Sequence, residues 1–198
     1  MIYLASQSPR RAELLHQIGV PFHKLPCEID ETPFQGESPS AYVLRMSEQK
    51  AAAGWQRVTD QGKPLMPLLS ADTSVVCDQL ILGKPRDKDD AFNMLSMLSG
   101  RSHQVMTAVA VTSGEQRTSR LVVTEVTFNP LTEQQIMNYI ASGEPADKAG
   151  AYGIQGYGAV LVAGISGSYS SVVGLPLSET AQLLHGFGVS VWNSKTFS

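Results

Sequence analysis

Four segments of this chain place chemically capable side chains where a fold could hold them. The first is SQSPRR at residues 6–11, between an apolar run and an amphipathic one. A strand-to-helix turn aims free backbone N–H groups and the positive end of a helix dipole at one point, which suits phosphate. Ser6 and Ser8 can add hydroxyl hydrogen bonds, and Arg10 and Arg11 add planar forks matched to phosphate oxygens. The plain alternative is a capped helix carrying two solvated arginines. The second is Asp72-Thr73, set inside the apolar run LLSADTSVV. A carboxylate there is costly unless it binds a cation or accepts several hydrogen bonds. Such a group can hold a divalent metal or take a proton from water; otherwise it is an aspartate capping a turn.

The third segment is Leu82-Gly83-Lys84-Pro85, which reads either as a fixed point charge for phosphate or as a solvated loop lysine. No G-x-x-x-x-G-K-[ST] loop occurs in the chain. The fourth, EPADKAGAYGIQG at 144–156, is dense in glycine. Glycine lets backbone approach a ligand closely, and Gln155 can present both a donor and an acceptor to a base edge. Read as backbone alone, the segment is a glycine-rich turn region. Lys50 reads as a surface lysine and Glu31, in the run Glu28-Ile29-Asp30-Glu31, as part of a wet acidic loop or a metal ligand. His103 has no His or Cys at metal spacing and is expected to be structural. Trp55 and Trp192 are not interleaved with basic residues, as a single-strand stacking surface requires.

The elements that position these residues alternate in type. Residues 2–5 predict a short buried strand, followed by a helix with Ser8 as N-cap, Pro9 in its first position and Gly19 at its end. The same Ser-Pro device at Ser38-Pro39 predicts a second helix to about Ala53. A central strand is expected at 68–76 and a helix from about Asp87 to Leu98, acidic at its start. Runs 103–113 and 117–128 read as an antiparallel pair around Ser113-Gly114-Glu115. Thr132 and Gln135 form a capping box for a helix ending at Gly143. Strand patterning follows at 158–163, and a last helix at 177–186. The fold class is α/β, a mixed twisted sheet flanked by helices, in two lobes around a cleft.

The chain has 198 residues, 42% of them hydrophobic and 17% charged, with a net charge of −3. These values suit a globular chain with a substantial core and argue against general binding to nucleic acid or anionic membranes. No run is apolar for long enough to span a bilayer, and the N-terminus lacks the basic region of a secretory signal. Cys27 and Cys77, without metal-type spacing, read as free thiols. A cytoplasmic protein is expected.

In order, SQSPRR, ADTSV, LGKP, SGRSHQVMT, EPADKAGAYGIQG and GSYSSVVGLPL resemble the Maf family of nucleotide pyrophosphatases, over nearly the whole chain. The resemblance implies one Maf-like domain over 1–198, an inosine-triphosphatase-like architecture and metal-dependent attack of water at the α-phosphate of a nucleoside triphosphate. It implies Asp72 as catalytic residue, and Arg10, Thr73 and Gln155 as specificity positions. Phosphate and metal positions fall on Arg11, Lys50, Lys84 and Glu31, with Mg²⁺ or Mn²⁺ held by Asp72 and Glu31. The unbroken DKAGAYGIQG resembles the branch acting on dTTP and UTP, with modified pyrimidine triphosphates as further substrates. The rival readings are 7-methyl-GTP as substrate and a nucleotide-binding regulator of septum formation. The family also implies a homodimer.

Overall fold

The computed structural model describes residues 1–114 and 116–192, so Glu115, expected in a turn, lies outside the described residues. Six α-helices and seven strands alternate along the described chain. The strands are β1 (Ile2–Leu4), β2 (Phe22–Lys24), β3 (Leu68–Cys77), β4 (Leu80–Leu82), β5 (Ser102–Ser113), β6 (Gln116–Phe128) and β7 (Val162–Ser166). They form one sheet in the order β2-β1-β3-β5-β6-β7, with β4 paired to β3. β1 runs parallel to β2 and β3, whereas β4 is antiparallel to β3 and β7 to β6, so the sheet is mixed as expected.

The helices are α1 (Pro9–Gln17), α2 (Pro39–Asp60), α3 (Lys88–Leu98), α4 (Glu133–Ala141), α5 (Tyr169–Val173) and α6 (Leu177–Gly186). Their starts follow the sequence closely. Ser8 and Ser38 cap α1 and α2 through their side chains, each with proline in the first turn. Asp87 caps α3, and Thr132 and Gln135 form the full capping box of α4. Two boundaries differ from expectation. Helix α2 does not stop near Ala53 but continues through Gly54 to Asp60. Gly54 is buried there, and a Cβ would lie 2.7 Å from Leu68 Cδ1 and 3.3 Å from Ala5 Cβ. It permits close approach to the strands instead of ending the helix. The strand expected at 158–163 forms at 162–166, because Tyr157–Leu161 is taken up by a 3₁₀ turn.

Like the three-residue β1, the elements β2, β4 and α5 are too short to show a period in sequence. β4 returns along β3 through Asp78 and Gln79, both at positive φ (49° and 67°), the conformation that a two-residue hairpin demands. No helix among the described residues is long and apolar enough to cross a membrane.

The chain divides into two compact units. The first comprises Met1–Asp72, Thr107–Val122 and the chain from Gly174, and the second Thr73–Met106 and Val123–Val173. A cluster in the first is built from Tyr3, Ala5, Leu25, Ala51, Val58, Leu68 and Ala110. The core of the second gathers Val75, Leu95, Leu98, Phe128, Ile136 and Leu161 with the buried ring of Tyr152.

His103 sits in that second core, structural as expected. Its Nε2 is 2.8 Å from the Tyr152 hydroxyl, and its ring meets Phe128 and Tyr152 edge-on. Burial pushes its pKa down to about 4. The imidazole is therefore neutral in the fold while the unfolded chain takes up a proton below about pH 6.5, so stability is lost as pH falls from about 6.5 towards 4. Between pH 7.5 and 5 this group should remove about 2 kcal/mol of unfolding free energy. Urea unfolding of wild type and His103→Gln at both pH values checks this: the variant should lose that much less, and equal losses would exclude His103 as the group responsible.

Candidate active site

The SQSPRR segment forms the turn between β1 and the capped start of α1. Ser6 is buried, and its Oγ receives the Ser8 N–H at 3.2 Å and Arg11 Nη1 at 3.2 Å. Arg11 Nε donates to the Gly174 carbonyl at 2.9 Å, so its guanidinium is held at both ends. Burial lowers its pKa, Asp72 and Glu31 act in the opposite direction, and neighbouring Arg10 adds repulsion. Arg10 is half-buried on the first turn of α1.

Asp72 lies midway along β3, where the buried pattern breaks for two residues. Its Oδ1 accepts a hydrogen bond from Lys50 Nζ at 2.7 Å, and the same ammonium stands 2.6 Å from Glu31 Oε1. Lys50 is thus no solvated surface lysine: its side chain is 14% exposed, comparable to 13% for Asp72. Period explains the meeting. Ser70 and Asp72 share one face of β3, while Ser47 and Lys50 share one face of α2. Ser70 Oγ donates to the Ser47 carbonyl at 2.6 Å, which fastens helix to strand beside the ion pair.

Glu31 comes from the loop between β2 and α2. Within the acidic run it is Glu31 that meets the lysine, whereas Asp30 accepts the Thr32 N–H at 2.9 Å and turns the chain. Two residues of α2 that pattern reading passed over hold this loop. Tyr42 OH donates to the Glu31 carbonyl at 2.9 Å. Arg45 grips Glu37 with two hydrogen bonds of 2.6 Å, donates to the Thr32 carbonyl at 3.1 Å and lies 3.8 Å above the Phe34 ring. Burial, followed by the charges of Asp72 and Glu31, pushes the Tyr42 hydroxyl up to about 12. The available signal was spacing, since Tyr42, Arg45 and Gln49 stand three and four residues apart on α2.

The remaining candidates belong to the second unit. Thr73 is half-buried in β3. Lys84 is exposed just after β4, and the adjacent Gly83 carbonyl accepts the Gly150 N–H at 3.0 Å. That bond ties the LGKP turn to the glycine-rich segment. Gly150 has φ 66°, and a Cβ there would lie 2.8 Å from Val75 Cγ1, so the tie depends on glycine. Gln155 is exposed in the loop that follows.

A family model described as Maf-like protein matches residues 1–187. The chain belongs to the Maf family. A protein of Pseudoalteromonas atlantica named dTTP/UTP pyrophosphatase is 58% identical, covering 93% of this chain and 95% of its own. Proteins of the same name from Nitrosomonas europaea (96% of each chain) and Chromobacterium violaceum (94% of each) are both 52% identical. Among solved structures, the Staphylococcus aureus Ham1 protein is 13% identical with a TM-score of 0.41, covering 64% of this chain and 71% of that one. A likeness that slight says nothing further about the Maf chain.

Glu31 and Asp72 already direct carboxylate oxygens at one positive group, and hard oxygen donors suit Mg²⁺ or Mn²⁺. Among the described residues no group of three or more His, Cys, Asp or Glu side chains assembles. Two carboxylates with phosphate and water completing the shell are the usual provision for Mg²⁺, so the residues fit.

The Lys50–Asp72 pair is mostly buried, and removing one partner leaves the other charge uncompensated. A double-mutant cycle of Lys50→Met and Asp72→Asn, read by urea unfolding, should give a coupling of about 1–3 kcal/mol. Additive effects would show that the two side chains do not pair in solution.

Proposed function

We propose that the protein hydrolyses dTTP and UTP to the nucleoside monophosphate and pyrophosphate. The carrying observation is the convergence of Glu31, Lys50 and Asp72 in one unit with Arg11, in a chain 58% identical over nine-tenths of its length to a protein named for that activity. The proposal extends to modified pyrimidine triphosphates.

In the reaction a water oxygen bonds to the α-phosphorus while the bond from that phosphorus to the α–β bridging oxygen breaks. Pyrophosphate leaves with the bridging oxygen, and the water proton passes to a base. Asp72 is the base we assign, with Lys50 donating to its Oδ1 and holding the carboxylate in place. Arg11 and Lys50 offset the negative charge that builds on the departing pyrophosphate, which is where most of the acceleration of phosphoryl chemistry originates. Ser6 holds the Arg11 guanidinium in place, and Ser8 caps the first turn of α1 on which Arg10 and Arg11 stand. Mg²⁺ or Mn²⁺, held by Asp72 and Glu31, supplies neutralisation of the phosphate oxygens when bound. The roles of Arg10, Thr73 and Gln155 in base choice and of Lys84 on phosphate rest on the family resemblance. So does a homodimer. A cytoplasmic location has the two free thiols, Cys27 and Cys77, in its support.

Pyrophosphate release from a panel of nucleoside triphosphates with Mg²⁺ or Mn²⁺ tests this reading. UTP and dTTP should lead the panel, a chelator should stop release, and Asp72→Asn should lower kcat by about 10²–10⁴ with nucleotide still bound. Near-normal turnover in Asp72→Asn would sink the assignment of the base. A panel led by a purine triphosphate would sink the substrate.

A further inference from the structure

Gln155 sits in a short loop whose two ends are tied to one pair of side chains. The Gly153 N–H donates to the Tyr139 hydroxyl at 3.1 Å. At the other end the Tyr157 N–H donates to Glu144 Oε2 at 2.8 Å and the Gly158 N–H to Glu144 Oε1 at 3.0 Å. Tyr139 closes the circuit by donating its own hydroxyl to Glu144 Oε1 at 2.9 Å. Lys148 Nζ, bonded to Asp147 Oδ1 at 2.7 Å, also donates to the Glu144 carbonyl at 2.8 Å and fixes the backbone that carries the carboxylate.

The glycines show how tightly the loop wraps this group. A Cβ on Gly156 would stand 2.1 Å from Glu144 Oε2, and one on Gly158 would meet the Gly153 carbonyl at 2.6 Å and the Tyr139 hydroxyl at 2.7 Å. Burial works against ionisation of Glu144, but the Gly158 and Tyr157 N–H groups, Tyr139 and Lys148 outweigh it and hold the carboxyl below its usual range. A loop with glycine at 153, 156 and 158 has much backbone freedom to lose. Left unbraced, it would present Gln155 in many orientations. Rejection of a wrong base by unpaired hydrogen-bonding groups needs one orientation.

We propose that Glu144 and Tyr139 are positioning residues for base selection: they brace the Gly153–Gly158 loop in the conformation that presents Gln155, so discrimination between bases depends on a carboxylate acting through that glutamine. The proposal rests on the reading of Gln155 as the residue that meets the base.

The test compares Glu144→Gln, Tyr139→Phe, Gln155→Ala and the Glu144→Gln/Gln155→Ala double variant with wild type. A glutamine offers one acceptor oxygen where the carboxylate offers two, so one loop N–H loses its partner. Two quantities are measured: the kcat/KM ratio of UTP over GTP, and amide hydrogen exchange across residues 153–158. Glu144→Gln should lower the ratio about tenfold, mainly through KM for UTP, and speed exchange at Tyr157 and Gly158. The double variant should be no less selective than Gln155→Ala alone. An equal loss on every nucleotide, or an unchanged ratio in Glu144→Gln where Gln155→Ala lowers it, overturns the proposal. An unchanged ratio in Gln155→Ala itself removes the base reading and with it the selectivity claim, leaving exchange to decide the brace. Unchanged exchange overturns the brace outright. Should Glu144→Gln fail to fold, Tyr139→Phe, which loses only a hydroxyl, carries the same comparisons.

Discussion

A carboxylate in the middle of a largely buried strand must be compensated, and the Lys50 ammonium does this for Asp72. Much of the first unit is arranged so that this lysine can reach. Helix α2 must lie close against β3, which Gly54 permits by having no side chain where Leu68 packs. The helix must also be fixed along its axis, and the Ser70–Ser47 hydrogen bond does so within three residues of the pair. Because the ammonium is shared with Glu31, the loop before α2 is drawn to the same point. The outcome is a local concentration of charge, with Arg10 and Arg11 nearby, in a chain whose net charge is −3.

Two loops carry side chains assigned to function, and each is held by a charged group that has no chemical role of its own. Arg45 binds the loop bearing Glu31 through Glu37, the Thr32 carbonyl and the Phe34 ring. Glu144 binds the loop bearing Gln155 through two backbone N–H groups and a phenol. The reason is the same in both cases. Ordering a residue in a loop costs about 1–2 kcal/mol of backbone entropy, and a loop short of apolar contacts has little burial to offset it. Charge-assisted hydrogen bonds, about twice as strong as neutral ones, supply the difference without filling the space a ligand needs.

The parts of this fold legible in sequence are those decided within a few residues of chain. Ser8-Pro9, Ser38-Pro39, Asp87 and the Thr132–Gln135 box announce helix starts because a cap satisfies N–H groups two or three positions away. Asp72 stands out because a charge interrupts a buried run. SQSPRR could be read as a phosphate turn for a similar reason: strand end, cap and arginines are contiguous.

What only the tertiary structure decided are matters of partner and of space. Gly54 looks like a helix terminator until Leu68 is packed on it, and the glycines at 150 and 156 look like loose chain until Val75 and Glu144 fill the room beside them. Lys50 looks solvated in sequence because its partners lie 22 residues ahead and in a loop behind it. Tyr42, Arg45, Tyr139 and Glu144 carry no motif at all, since a brace is defined by what it holds. Sequence by itself settled the α/β alternation, the helix starts and the presence of a carboxylate inside a buried strand, because caps and hydrophobic period act locally. Which cation neutralises that carboxylate, and which groups hold the two loops, depended on long-range packing that no local pattern encodes.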